Sequence, residues 1–197
     1  MRSLHLRPAT IEEIRPLRAA VLRPGMPFEA AVWRGDDDPG ALHVAACSPD
    51  GPGRPGVVGV VSLLPAAYPG PGGGEPGNGN GDGARDDIRD GAGPPVGAPG
   101  YQLRGMAVAT AAQGRGIGAA LLRGALYLLA ERGAPLVWCN ARLVVAGFYE
   151  RGGFVRDGGE HALAPLGIVH VRMHRPVPAR QQAQQAQQSA RQGGTSP

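Results

Sequence analysis

Apolar residues recur at regular intervals in the N-terminal part of the chain, and these intervals predict its first elements. Residues 4–7 alternate between apolar and polar positions, as in a half-buried strand. Thr10, with Glu13 three residues later, is a capping box and favours the start of a helix. Pro24 and Gly25 end this helix. Its apolar positions share one face and are Ile11, Ile14, Leu17, Val21 and Leu22.

Three further apolar runs predict strands. Residues 41–47 and 57–64 form the two arms of a β-hairpin, with residues 48–56 as the turn between them. After a long segment rich in glycine and proline, residues 101–110 alternate and predict the central strand of the sheet. The N-terminal half is therefore expected to be an antiparallel sheet with one helix.

The C-terminal half changes to a helical period. Residues 119–132 predict a helix, which Gly133 closes at the position after its last residue. Its inward positions are Leu121, Leu122, Ala125, Leu126 and Leu129. A buried strand, a second helix and two last strands are predicted at 136–140, 144–151, 154–155 and 169–174. An antiparallel half that leads into a β-loop-α-β-α unit predicts a mixed α/β layer fold.

A glycine-rich loop, residues 113–119, joins the central strand to the first C-terminal helix. The first N–H groups of a helix have no partner within the helix, and the helix dipole adds positive charge there. Gly114, Gly116 and Gly118 carry no Cβ atom, so a diphosphate could lie directly against the backbone. The loop is therefore predicted to hold a pyrophosphate.

Two nucleotide classes fit this loop poorly. A Walker A loop requires a lysine, whereas the twenty basic residues of this chain are all arginine. Gly114, Gly116 and Ala119 satisfy the dinucleotide pattern G-x-G-x-x-G/A, but that fold needs an acidic residue about 20 positions later. Residues 137–140 occupy that region and contain no carboxylate. Coenzyme A is the third class that carries a pyrophosphate.

The segment from Tyr101 to His174 resembles the core of the GNAT superfamily of N-acetyltransferases. The pyrophosphate loop of that family is Q/R-x-x-G-x-G/A, and Gln113, Gly116 and Gly118 fill it without a gap. The resemblance implies a mostly antiparallel sheet that splays at the central strand and is flanked by helices.

Three other segments agree with the same family. Residues 140–154 look like its segment that ends in Phe-Tyr and Gly-Phe, and residues 167–173 resemble the closing strand of a bacterial subgroup. Residues 17–25 are similar to the first helix of that subgroup. The resemblance covers the chain except for an internal insert and the C-terminal tail.

The resemblance implies an acetyl-CoA-dependent N-acetyltransferase that moves the acetyl group directly to an amine. Backbone N–H groups of the central strand would polarise the thioester carbonyl, with Gly105 marking a bulge. Tyr149 would protonate the leaving thiolate, and its alternative role is packing beside Phe148 and Phe154. The implied cofactor-binding residues are Met106, Ala107, Val108, Gln113, Gly114, Arg115, Gly116, Ile117, Gly118, Ala119 and Asn140. A non-catalytic acyl-CoA-binding module of the same fold is the alternative.

The general base is less well defined. Many family members carry a glutamate on the central strand, but residues 101–112 contain no acidic residue. His170 is the histidine that we assign as base, because an imidazole pKa near 6.5 suits the role. His43, Glu29, the acidic run 36–38 and a chain of water molecules are the other candidates. The acidic run could instead be a solvated turn.

Composition narrows the partners and the compartment. The net charge is +4 and no arginine cluster alternates with aromatic residues, so nucleic acid is not expected as a partner. No signal peptide or membrane-length apolar run is present, which predicts a cytoplasmic protein without membrane contact. Cys47 and Cys139 are expected to be reduced core thiols. His170 and His174 would lie about 13 Å apart on a strand, so no metal site is expected.

The domain organisation follows from composition. Residues 1–177 are expected to form one N-acetyltransferase domain, which contains a Gly/Pro-rich disordered insert at 69–100. Residues 178–197 form a Gln/Ala-rich tail that is also expected to be disordered. The acceptor is either a small-molecule amine or a peptide or protein amine, and a homodimer is left open.

Overall fold

The computed structural model of the chain describes residues 4–53, 56–71, 93–163, 167–182 and 184–185. The described residues fall into two compact units. Unit 1 lies within Met1–Pro65, Leu103–Ala134 and Val177–Pro197, and unit 2 lies within Ala66–Gln102 and Pro135–Pro176.

The described residues form seven strands, three α-helices and three short 3₁₀ helices. The strands are β1 His5–Pro8, β2 Leu42–Gly53, β3 Gly56–Pro65, β4 Tyr101–Val108, β5 Leu136–Arg142, β6 Val155–Leu163 and β7 Ile168–Pro176. The α-helices are α1 Ile11–Leu22, α2 Ile117–Glu131 and α3 Ala146–Arg151. The 3₁₀ helices are Phe28–Ala31, Thr110–Ala112 and Leu143–Val145.

The strands make one sheet in the order β1-β2-β3-β4-β5-β7-β6. Antiparallel pairing joins β1 to β2, β2 to β3, β5 to β7 and β6 to β7. β4 and β5 run parallel, and their pairing joins Tyr101 to Val137 and Gln102 to Trp138, all within unit 2. A mostly antiparallel sheet with flanking helices confirms the predicted mixed α/β fold class.

The first helix forms as its sequence pattern predicts. The Thr10 Oγ1 atom accepts from the Glu13 N–H at 3.4 Å, and the Glu13 carboxylate accepts from the Thr10 N–H at 2.9 Å. The capping box is therefore confirmed. Ile11 and Ile14 are buried against Val60 of β3. The remaining predicted positions pack partly buried beside them and are Leu17, Val21 and Leu22.

The second helix buries the face that its period predicts. Its five predicted inward positions are all buried: Leu121, Leu122, Ala125, Leu126 and Leu129. Gly133 follows the helix with φ +67° and donates its N–H to the Ala130 carbonyl at 3.0 Å. The Ala134 N–H reaches back to the Leu129 carbonyl at 3.0 Å. These two bonds form a Schellman motif, so the role predicted for Gly133 is confirmed.

Two strands are much longer than predicted. Residues 48–56 were expected to be a turn, but β2 continues to Gly53 because a bulge lets Ser48 and Gly53 both pair with Gly56. The last hairpin differs in the same way. Its first strand was expected to end at 155, whereas β6 runs to Leu163. A register shift between Arg156 and Glu160 accommodates its glycines.

The described ends of the predicted insert and tail are placed. The Tyr68 N–H donates to the Ala98 carbonyl at 2.8 Å, and the Gly97 N–H donates to the Tyr68 carbonyl at 2.8 Å. In the tail, residues 180–182 are helical, and Arg180 forms an ion pair of 2.8 Å with Glu131. The rest of both segments, residues 72–92, 183 and 186–197, lies outside the described residues, so their disorder stays a prediction. No helix among the described residues is long and apolar enough to cross a membrane.

Candidate functional site

The glycine-rich loop lies in unit 1 and opens directly into α2. Gly114 and Gly116 have φ +75° and +76°, and Gly116 is the N-cap residue of the helix. This left-handed conformation lets α2 begin at Ile117, two residues before the predicted start. The helix ladder begins with the Ala120 N–H, which donates to the Gly116 carbonyl at 3.0 Å. The three preceding N–H groups, of residues 117–119, are therefore not used by the ladder.

The space around the loop suits a ligand. A Cβ atom on Gly114 or Gly116 would have no heavy atom within 4 Å, apart from its chain neighbours. Residues 113–116 are exposed. Glycine is thus required there by backbone conformation and not by the packing of the chain. The residues present fit a diphosphate, which would lie against bare backbone at a helix N-terminus.

One hydrogen bond ties the loop to β4. The Gln113 side chain donates through Nε2 to the Val108 carbonyl at 3.1 Å. The Ala109 N–H donates to the Val58 carbonyl of β3 at 2.9 Å. Because N–H groups alternate in direction along an extended strand, the Val108 N–H points away from β3. The bond from Gln113 thus places the loop beside the end of β4, within unit 1.

β4 carries the irregularity that the sequence suggested. Gly105 has φ +59°, a conformation that L-residues with a side chain rarely adopt. Met106 and Val108 are partly buried and Ala107 is buried. The backbone angles at Gly105 therefore help to set the directions of the N–H groups that come after it on β4.

Asn140 lies in unit 2, on β5, and its amide has a fixed orientation. The Arg172 Nε atom donates to Asn140 Oδ1 at 2.7 Å, so Nδ2 is the free end of the amide. Nδ2 is buried and has no hydrogen-bond partner among the described residues. A buried donor without a partner is costly, which makes this atom fit an amide carbonyl of a bound pantetheine.

Arg172 is a residue that sequence reasoning missed. It is fully buried on β7, its guanidinium lies 5.0 Å from the Trp138 ring, and Nη1 donates to the Gly70 carbonyl at 3.2 Å. Its register places it opposite Asn140. The signal was the alternation of polar residues along residues 170–174, which puts Arg172 on the face of the sheet shared with Asn140.

Tyr149 lies in unit 2 on α3 and is 8% exposed. Its ring packs edge-on against Phe148 and Phe154, with centroids 5.0 and 5.5 Å away, which is the packing that the sequence suggested. Burial, and to a lesser extent the neighbouring Cys139, raises the pKa of the Tyr149 phenol above its usual value. The hydroxyl therefore stays protonated in the physiological range and keeps a hydrogen that it can donate.

His170 lies in unit 2 on β7, and one of its ring nitrogens faces a backbone carbonyl. Nδ1 lies 2.6 Å from the Ile168 carbonyl. Because a carbonyl only accepts, Nδ1 carries the hydrogen of the neutral ring and Nε2 carries the lone pair. The ring stacks on His161, its cross-strand partner, with centroids 6.3 Å apart. Burial lowers the pKa of His161.

The structure changes the standing of two other base candidates. Both His43 nitrogens are engaged: Nδ1 lies 2.8 Å from Ser62 Oγ and Nε2 lies 3.0 Å from the Asp36 carbonyl. Asp36 is buried in an ion pair of 2.7 Å with Arg18. The prediction of a solvated turn at 36–38 is therefore wrong for Asp36, because a buried arginine holds it. Asp37 and Asp38 are exposed.

The two cysteines of the chain both lie among the described residues. Cys47 and Cys139 are buried free thiols, as predicted, and burial raises the pKa of the Cys139 thiol. In the part of the chain that the structure describes, no three His, Cys, Asp or Glu residues are grouped so as to hold a metal ion.

Part of the chain matches a known protein family. The model of the acetyltransferase (GNAT) domain matches residues 83–156. The uncharacterised N-acetyltransferase YitI of Bacillus subtilis is 25% identical over 174 residues, which are 88% of this chain and 97% of that protein.

Solved structures share the same fold. A putative N-acetyltransferase from Lactobacillus plantarum superimposes with a TM-score of 0.61 at 17% identity, covering 89% of this chain and 99% of that one. An aminoglycoside 6′-N-acetyltransferase complexed with coenzyme A gives a TM-score of 0.59 at 13% identity, with 89% and 98% covered.

Proposed function

We propose that the chain moves an acetyl group directly from acetyl-CoA to an amine acceptor, because its residues 83–156 match the model of the GNAT acetyltransferase domain. The acceptor is a small-molecule amine or a peptide or protein amine. We place the reaction in the cytoplasm, where free buried thiols such as those of Cys47 and Cys139 persist.

The observation that carries the proposal is the junction of β4, the loop and α2 in unit 1. Two glycines with positive φ precede a helix whose first three N–H groups are not used by its ladder. Gln113 ties this loop to the end of β4. The related fold of the aminoglycoside acetyltransferase has been determined with coenzyme A, which supports the choice of nucleotide.

Other residues of the chain would hold and polarise the donor. Asn140 Nδ2 would donate to the pantetheine, with Arg172 keeping the amide in that orientation. A backbone N–H group of β4 near residues 106–108, of which the Val108 N–H points away from β3, would donate to the thioester carbonyl, where negative charge develops. Acetyl-CoA, when bound, supplies an acetyl group that is already activated as a thioester.

Tyr149 would act as general acid. A coenzyme A thiol should titrate near the ordinary cysteine pKa of about 8.5, below the phenol value of about 10. Burial separates the two further because it raises the pKa of the Tyr149 phenol. A phenol that stays protonated can donate to the departing thiolate as charge develops on sulfur.

His170 would remove a proton from the amine acceptor. The carbonyl of Ile168 orients its ring, so Nε2 is the nitrogen with the lone pair. In the neutral ring this nitrogen can accept the proton of the amine. A chain of water molecules is the alternative route for this proton.

Calorimetric titration with acetyl-CoA tests the loop assignment. Gly116→Asn keeps a left-handed conformation accessible, because asparagine tolerates it, but places a side chain in the open space. We expect affinity to fall roughly tenfold or more, since hydrogen bonds to charged groups contribute about 1.5–3 kcal/mol. Gly133→Asn is the matched control: Gly133 also has a positive φ with nothing within 4 Å, but lies at the other end of α2.

Equal affinity in both variants would show that the pyrophosphate does not lie at this loop.

Turnover is tested separately: the wild-type protein is screened against an amine panel with detection of free thiol. Tight binding of acetyl-CoA without turnover for any amine would favour the non-catalytic module.

A further inference from the structure

A buried arginine in unit 1 has no place in the chemistry described above. Arg18 lies on α1 with no exposed surface. Its Nη1 atom donates to Asp36 Oδ2 at 2.7 Å and to the Ala31 carbonyl at 3.2 Å, and its Nη2 atom donates to Ser62 Oγ at 2.5 Å. One guanidinium thus joins α1, the 3₁₀ helix, the loop after it and β3.

Trp33 completes this group, which we call the Arg18 cluster (Arg18, Asp36, Ser62 and Trp33). The Arg18 guanidinium lies 4.1 Å from the centre of the Trp33 ring. Asp36 Oδ2 also accepts from the Trp33 N–H at 2.8 Å. Asp36 Oδ2 therefore binds both the Arg18 guanidinium and the backbone of Trp33, whose ring stacks on that guanidinium.

The Arg18 cluster lies directly against the kink in β4. A Cβ atom on Gly105 would overlap the Trp33 ring and would lie 2.9 Å from Arg18 Nε. The absence of a side chain at Gly105 lets the two groups approach the strand. Arg104, the residue before Gly105, places its guanidinium 5.4 Å from the centre of the same ring. The backbone at the kink is thus in contact with the cluster from α1 and the loop.

The kink matters because it precedes the proposed thioester-polarising segment. Gly105 has φ +59°, and the Val108 N–H, which points away from β3, follows it on the same strand. A change in the backbone angles at Gly105 would redirect this N–H group. Donors that stabilise developing charge act only within a narrow range of positions.

We propose that Arg18, held by Asp36, is a positioning residue: together with Trp33 it holds the Gly105 kink and so directs the backbone N–H group of Val108 at the thioester carbonyl. The inference rests on the proposed acetyl transfer. The fork of the guanidinium is part of the argument, because Asp36, Ala31 and Ser62 lie in different directions and a single ammonium cannot reach all three.

The test uses two variants and one control. Arg18→Met combined with Asp36→Asn removes both charges, so that no buried charge is left unpaired, and retains an acceptor for the Trp33 N–H. Arg18→Lys keeps the charge and loses the fork. Arg7→Met is the control, since it breaks a partly exposed ion pair of 2.6 Å with Glu13 at the start of the same helix.

The main readout is the infrared carbonyl stretch of bound [1-¹³C]acetyl-CoA. Hydrogen bonding to the carbonyl lowers this frequency. The frequency therefore reports whether the Val108 N–H reaches the carbonyl, separately from the stability of the protein. The dissociation constant of acetyl-CoA and kcat are measured on the same samples. In the double variant we expect an unchanged dissociation constant, a frequency moved toward that of free acetyl-CoA, and a kcat lower by about 10²-fold, as for a misplacement of roughly 1 Å.

Arg18→Lys should move the frequency and kcat in the same direction, and Arg7→Met should change neither. A double variant that binds acetyl-CoA with the wild-type frequency and kcat would overturn the inference. If the double variant does not fold, wild-type frequency and kcat in Arg18→Lys would overturn it instead. Failure of the proposed function has a separate signature: the wild-type protein would bind no acetyl-CoA or would transfer acetyl to no amine.

Discussion

Adding one methyl group at Gly105 should destabilise the protein far more than adding it at another glycine with the same backbone conformation. Gly105 and Gly133 have φ +59° and +67°. Gly105→Ala and Gly133→Ala both incur the left-handed penalty of roughly 1–2 kcal/mol and both restrict the unfolded chain by about 0.4–1 kcal/mol. These two effects cancel in the difference between the variants.

The remaining difference comes from packing. At Gly133 the new Cβ would have no contact within 4 Å, whereas at Gly105 it would overlap the Trp33 ring and lie 2.9 Å from Arg18 Nε. Neither group can yield easily, since Arg18 is fully buried and held by Asp36. Overpacking of this kind typically costs about 1–3 kcal/mol, so we expect Gly105→Ala to be less stable than Gly133→Ala by that amount.

Urea denaturation of both variants measures this difference directly. The midpoint should fall further for Gly105→Ala, while the slope of the transition, which reports the surface exposed on unfolding, should stay equal. Equal midpoints would refute the close contact between the Arg18 cluster and β4. A third variant, Gly105→Ala with Trp33→Leu, should recover part of the loss if the ring is the obstacle.

Three further predictions concern side chains of unit 2. Tyr149→Phe keeps the ring packing and removes the donor, so kcat should fall by about 10²–10⁴-fold with little change in acetyl-CoA affinity, and a near-normal kcat would make the hydroxyl structural. Asn140→Asp keeps an acceptor for Arg172 but loses the Nδ2 donor, so calorimetry should show affinity for acetyl-CoA lower by roughly 3- to 10-fold, as for one hydrogen bond, and unchanged affinity would contradict its role. Burial is the main cause of the lowered pKa values of His161 and His174, so the unfolded state binds protons at a higher pH than the folded state. The urea midpoint should therefore decrease as the pH falls below about 6.5, the pKa of a histidine in an unfolded chain. A midpoint that stays constant between pH 7 and 5.5 would be evidence against this.

Local sequence patterns predicted the elements that depend on neighbouring residues. The capping box of Thr10 and Glu13 and the stop at Gly133 rest on contacts between nearby residues, and the inward face of α2 follows the period of its apolar residues. For such elements the backbone geometry and the period of the apolar residues carry enough information. The glycine loop belongs to the same class, although α2 begins earlier than its period suggested.

The features that sequence reasoning missed depend on contacts between distant segments. Asp36 looked like one of three solvated aspartates, and only the fold brings Arg18 to it. Arg172 and Asn140 meet through the register of β7 with β5. The extension of β6 beyond Val155 depends on pairing with β7 through a register shift, which is not visible in the local pattern. The roles of Tyr149 and His170 stay predictions, since side-chain geometry alone does not establish catalysis.

Mass spectrometry of acetyl transfer tests the central claim most directly. The protein is incubated with acetyl-CoA and a panel of small amines and peptides, and free thiol, acetylated amine and acetylated protein are quantified together. We expect free thiol and acetylated amine to form in equal amounts, with no acetyl group retained on the protein and no release of thiol beyond background when the amine is left out. A protein that binds acetyl-CoA but acetylates none of the amines, or one that becomes acetylated itself before the amine does, would contradict direct transfer.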